Sequence, residues 1–99
     1  MGVTGQFLFA CESGNLTALK NTMAKMKNEG IWDVNYRNVE GFTGLHLALF
    51  ARCQDKNQSR LDDYTEVINF LLEEKPKLDD LHLHYLNENG TLAVLETPF

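Results

Sequence analysis

The chain has 99 residues, 43% of them hydrophobic, and a formal net charge of −5. That length suits one domain, the apolar content supports a packed core rather than disorder, and the acidic balance argues against a phosphate-binding surface and so against nucleic acid. Two cysteines, Cys11 and Cys53, are too few for a disulfide framework, which points to a reduced, intracellular setting. No run approaches the roughly 18 apolar residues of a membrane span, and the first residues lack the apolar stretch of a signal peptide. The expectation is a soluble protein of the cytoplasm, or of a host cytosol if it is a secreted effector.

In chain order, Phe7-Leu8-Phe9-Ala10-Cys11 predicts a short apolar helix that stops at Gly14, a natural C-terminal cap. Asn15 can cap the next helix, in which Leu16, Leu19, Met23 and Met26 recur at helical spacing until Gly30. Lys20, Lys25 and Lys27 read as its solvated face. After Asp33-Val34-Asn35 comes Gly41-Phe42-Thr43-Gly44-Leu45-His46-Leu47-Ala48. Gly41 allows a tight turn, Thr43 can cap a helix that begins immediately after it, and Leu45 and Ala48 share one face of that helix. This third helix carries Leu49 and runs towards Arg52, where a polar loop over residues 52–63 begins. The fourth helix has the cleanest period, with Tyr64, Val67, Ile68, Leu71 and Leu72 on one face. Asp63 and Glu66 read as its capping-box pair and Pro76 as its stop. Burying its aliphatic residues contributes roughly 1.5–3 kcal/mol each, so it should anchor the core. In the tail, Leu81, Leu83 and Tyr85 alternate ahead of Asn87-Glu88-Asn89-Gly90, and Leu92-Ala93-Val94-Leu95 follows. Alternation around an Asn-Gly turn predicts a β-hairpin across residues 81–95; a helix across residues 78–86 is the competing reading.

The segment from Gly41 to Ala48 resembles the signature of the ankyrin-repeat family, Gly-x-Thr-Pro-Leu-His-x-Ala, with Gly44 where proline stands. Asp33-Val34-Asn35 resembles the close of such a repeat. The resemblance implies a single domain over residues 1–99 with two divergent repeats, about residues 4–37 and 38–79, the second holding the inserted loop 52–63. Residues 80–99 are then a hairpin tail or the start of a third repeat, and Thr97-Pro98-Phe99 resembles the opening of another. The chain would be a fragment of a longer array on that view. The implied fold is all-α, an ankyrin-like helix-turn-helix solenoid fragment with a C-terminal β-hairpin finger. Each repeat exposes an apolar face that a neighbour must cover, so the molecule is a monomer closed by its tail or associates through its open C-terminal face.

By the same resemblance, the function is protein–protein recognition, with no catalysis, cofactor or metal. The partner surface would comprise the finger turn, here Arg37, Val39, Glu40 and Phe42, and the exposed side of the inner helix, here Phe50 and Ala51. Glu12 and Ser13 are the first repeat's equivalents. Gly41, Thr43, Leu45, His46 and Ala48 carry the structural motif, and His46 is implied to hydrogen-bond its turn and the neighbouring repeat. Phe42, an aromatic on a turn without a core duty, is the expected anchor of binding. The alternative is a targeting or regulatory module of a larger enzyme whose catalytic part lies outside this chain.

Other constellations carry less. His82 and His84 would share one side of a strand, yet a zinc site needs further ligands from His46, a cysteine or a carboxylate, and the tail supplies none at recognisable spacing. Cys53 has no thiol-protease or CxxC context. Asp62 and Asp63 read as helix caps rather than as a general acid and base. No phosphate loop, HExxH or GxSxG occurs.

Overall fold

The computed structural model describes residues 2–55 and 59–88. The class is all-α: α1 (Val3–Glu12), α2 (Leu16–Asn28), α3 (Gly44–Gln54), α4 (Leu61–Glu73) and α5 (Asp80–Glu88). Helices α1, α3 and α5 form one row, with α3 packed between the other two. Behind that row α2 packs on α1 and α4 on α3, and α2 also touches α4.

Local chemistry sets each boundary. At the end of α1, Gly14 takes a φ of 68°, a left-handed conformation that glycine adopts without a Cβ clash. The Gly14 and Asn15 backbone N–H groups donate to Cys11 O at 3.2 Å and Ala10 O at 3.0 Å, satisfying carbonyls that the helix leaves open. Asn15 then caps α2, its Oδ1 accepting from the Ala18 N–H at 3.0 Å. Helix α2 buries Leu19 and Met26, with Leu16 and Met23 half-buried. It also buries Thr22, whose hydroxyl donates to Ala18 O at 2.9 Å and so enters the core without an orphaned polar atom.

The core lies where the two helix pairs meet. Phe7, Ala10 and Cys11 of α1, Leu45, Ala48 and Leu49 of α3, and Val67, Ile68 and Leu71 of α4 are all buried. The face expected of the fourth helix is therefore the one that packs, and Trp32 packs against the same core, edge-on to Phe7 at 5.4 Å. Gly44 sits at a close approach of two helices. A Cβ there would lie 2.7 Å from Cys11 Sγ and 3.1 Å from Phe7 Cζ, so only glycine lets α3 approach α1 this closely.

Several boundaries differ from the sequence-based expectation. Helix α3 continues through Gln54 and α4 begins at Leu61, which shortens the expected 52–63 loop at both ends. Asp63 is not a cap. Arg60 holds the N-cap place without a side-chain cap bond, and Asp63 sits in the first turn paired with Arg60 Nε at 3.2 Å. Its charge still suits the helix dipole there. Helix α4 ends before Pro76, because Lys75 turns to a φ of 54°, outside the helical region that a following proline disfavours.

The hairpin reading is corrected for residues 81–88, which are helical. Asp79 starts that helix by accepting the His82 N–H on Oδ1 at 2.8 Å. His82 and Leu86, one helical turn apart, are both fully buried, and this i, i+4 pair outweighs the alternation of Leu81, Leu83 and Tyr85. The Asn-Gly turn at residues 89–90, the expected second arm and Thr97-Pro98-Phe99 lie outside the described residues. Among the described residues, no helix is long and apolar enough to cross a membrane.

Candidate interaction surface and its support

The finger between α2 and α3 is a turn organised by Asn38. Arg37 and Thr43 pair as an isolated antiparallel bridge. Within it, the Asn38 N–H donates to Phe42 O at 2.9 Å and the Gly41 N–H to Asn38 O at 3.0 Å. The Asn38 side-chain Oδ1 accepts from the Glu40 and Phe42 N–H groups, at 2.9 and 3.0 Å. Asn38 was not singled out in the sequence, although an Asn just before a turn tip, able to accept from the N–H two residues on, is a recognisable Asx signal. Val39 stands at the tip fully exposed, and Glu40 beside it is also exposed.

The residues expected to contact a partner do not share one environment. Arg37 is exposed but engaged, donating to Gly41 O at 2.6 Å and to Asp79 Oδ2 at 3.3 Å. Phe42 is half-buried, edge-on to Phe50 at 5.1 Å and to His46 at 5.7 Å, so it has a packing duty that the turn position alone did not suggest. Phe50 in turn meets Tyr85 of α5 at 4.9 Å, again edge-on. Glu12, Phe50 and Ala51, with Leu47 and Gln54, line a shallow groove of about 230 Å3 across α1 and α3. Ser13 instead lines a separate groove of about 350 Å3 between α1 and α2, and its hydroxyl donates to Ala10 O at 3.3 Å. Thr43, Leu45, His46 and Ala48 are buried, and Gly41 is half-buried with a left-handed φ of 87°.

Beneath the finger, four side chains close a ring. The Thr43 N–H donates to His46 Nδ1 at 2.9 Å, and the His46 N–H donates back to Thr43 Oγ1. The same reciprocal cap recurs at the start of α5, where the Asp79 N–H donates to His82 Nδ1 at 3.0 Å. Because both Nδ1 atoms accept a backbone N–H, both rings carry their proton on Nε2. His46 Nε2 therefore donates to Asp79 Oδ1 at 3.0 Å, and His82 Nε2 to Thr43 Oγ1 at 2.8 Å. The two imidazoles stack face to face, 3.6 Å apart and 3° from parallel. This second cap had a sequence signal: Leu-His-Leu follows Thr43-Gly44 and again follows Asp79-Asp80.

The ring fixes protonation as well as position. Burial pushes His82 down to about 4; the neighbouring His46 ring acts the same way, the Asp79 carboxylate opposes it, and Arg37 adds to the lowering. For Asp79, partial burial favours the neutral acid. The His82 N–H, the His46 ring, the charge of His82 and the Arg37 bond together outweigh it and hold the carboxyl well below the usual range.

His46, Asp79 and His82 each offer a donor atom, all within 4.8 Å of one another. A metal would need in-plane lone pairs converging on one point, whereas these stacked rings are parallel and every ring nitrogen already has a hydrogen-bond partner. The arrangement is a hydrogen-bonded joint rather than a ligand cage. His82 and His84 do not pair, since the helix buries the first and exposes the second. Cys11 is buried, and burial raises its thiol far above the ordinary value, whereas Cys53 is exposed. Compared with known proteins, the chain matches no family model, no curated protein and no solved structure.

Proposed function

We propose that the chain is an ankyrin-like protein–protein interaction module, non-catalytic and acting in a cytosol, that holds its partner on the finger tip and the neighbouring inner-helix groove. The observation that carries this reading is the capped turn that occurs twice, at Thr43–His46 and Asp79–His82, each opening a helix of the same row. Such repetition is the mark of a stacked array, whose turns and inner helices present one continuous surface. Val39 and Glu40 are the exposed finger residues that hold nothing together through their side chains, and Glu12, Phe50 and Ala51 extend the surface along the groove.

The test pairs Val39→Asp with Glu40→Lys in the full chain. Both side chains are exposed, so the melting temperature should not move, while capture of a saturably bound protein should fall at least tenfold, about 1.4 kcal/mol. A wild-type chain that retains no protein saturably, or a variant that retains the same protein equally well, would reject the reading.

A further inference from the structure

Helix α1 turns Phe7 and Cys11 towards α3, where Gly44 approaches both, and turns its opposite side to a groove shared with α2. That groove measures about 350 Å3, a size suited to a small ligand. Its floor is apolar, with Ala10 of α1 and Ala18 of α2 beside the ring of Phe9. Phe9 is 61% exposed, and among the described residues no other aromatic side chain lies so open.

The polar groups along this groove fall into two kinds. Next to the Gly14 turn they are spent on the backbone: the Ser13 hydroxyl donates to Ala10 O, and Asn15 Oδ1 accepts the Ala18 N–H. Thr22 likewise donates to Ala18 O. Further along α2 stand Asn21 and Lys25, one helical turn apart on the same face, both exposed and neither with a side-chain partner among the described residues. The other two lysines of α2 lie over rings, Lys20 over Phe70 at 5.8 Å and Lys27 over Trp32 at 6.0 Å. In a chain of net charge −5, the one charged side chain lining this groove is therefore an uncommitted ammonium.

We propose that this groove binds a small amphipathic carboxylate, its apolar chain lying on Phe9, Ala10 and Ala18 and its carboxylate held by Lys25 Nζ and the Asn21 carboxamide. The charge of the ligand follows from the donors: an ammonium and an amide NH2 call for an anionic acceptor, and a cationic ligand would meet no carboxylate in the lining. Its length follows from the helix, since Ala18 and Lys25 are separated by roughly 10 Å along the axis of α2. That is the reach of a medium-chain fatty acid such as octanoate. Ser13 and Asn15 bound the apolar floor at the turn, so the site suits a short chain that ends there. The inference is independent of where a protein partner binds, because the groove carries neither Val39, Glu40 nor any residue of α3.

The experiment titrates octanoate into the full chain, follows the backbone amides by NMR, and runs the uncharged octanamide in parallel. Octanoate should give saturable shifts centred on Phe9, Ala18, Asn21 and Lys25. Octanamide should bind roughly three- to tenfold more weakly, the loss expected for a half-exposed charge-assisted contact. Lys25→Met should abolish that preference while leaving octanamide affinity in place, and Phe9→Ser should weaken both ligands alike. Both side chains are exposed, so neither variant should move the melting temperature. Absence of saturable shifts, shifts centred elsewhere, equal affinity for the two ligands, or a preference that survives Lys25→Met would each overturn the proposal. So would shifts at the same amides that grow with protein concentration in the absence of ligand, which would make a second copy the occupant. Val39→Asp/Glu40→Lys should leave the octanoate titration unchanged, so this site and the partner surface fail separately.

Discussion

Gly44 shows how one missing atom can set the distance between two helices. A Gly→Ala change at an unstrained site commonly stabilises by about 0.4–1 kcal/mol through the unfolded chain. Here the added Cβ would meet Cys11 Sγ at 2.7 Å, so Gly44→Ala should instead destabilise by roughly 1–3 kcal/mol in urea titration. The loss should shrink in a Cys11→Ala background, and an equal loss in both backgrounds would place the clash elsewhere. Phe42 makes a related point about aromatics on turns. Its sequence position suggests an anchor free of structural work, but its ring rests on Phe50 and His46. Phe42→Ala should therefore lower the melting temperature, with about 0.5–1.5 kcal/mol lost for each aromatic contact removed, beyond the area term. An unmoved melting temperature would return Phe42 to the class of purely partner-facing residues. Neither effect is visible from residue type, because each depends on what a different helix brings alongside.

The helices whose apolar residues keep a 3.6-residue period were legible in advance, and α4 is the plainest case. Turn chemistry placed the starts of α2 and α3 through Asn15 and Thr43. At α5 the hairpin was preferred over the competing helix across residues 78–86, since alternating leucines and an Asn-Gly pair imitate a hairpin when the cap, Asp79, goes unrecognised; the structure has the helix, over Asp80–Glu88. That cap also makes the attachment of α5 sensitive to acid. His82 has a folded pKa of about 4 against 6.5 in the unfolded chain, so the native state resists protonation. Stability is complete above pH 6.5 and declines as the pH falls from 6.5 towards 4, by up to roughly 3 kcal/mol. Asp79, also depressed in the folded state, adds a loss of the same sign below its unfolded value of 3.8. Melting temperatures across this range should fall steeply for the wild type and less steeply for His82→Gln, which keeps a donor but cannot titrate. An identical slope in both would remove His82 as the cause.

Across the whole molecule, one row of helices is backed by a second, and α3 joins the row by packing on both α1 and α5. Contacts between helices far apart in sequence were the part least legible in the sequence. The family resemblance implied that His46 would reach a neighbour, but nothing in the spacing said that Asp79 would receive it, or that His82 would answer to Thr43. These four residues form a closed ring made of two local caps, Thr43 with His46 and Asp79 with His82, joined by two bonds, His46 to Asp79 and His82 to Thr43. Substitutions within the ring should therefore be non-additive, most strongly for pairs that face each other across the joint. For sequence drift the ring behaves as a lock with two keys. Losing one member leaves the other helix its cap but strands a buried polar atom across the joint, so the change that follows most easily is one that removes or satisfies that atom.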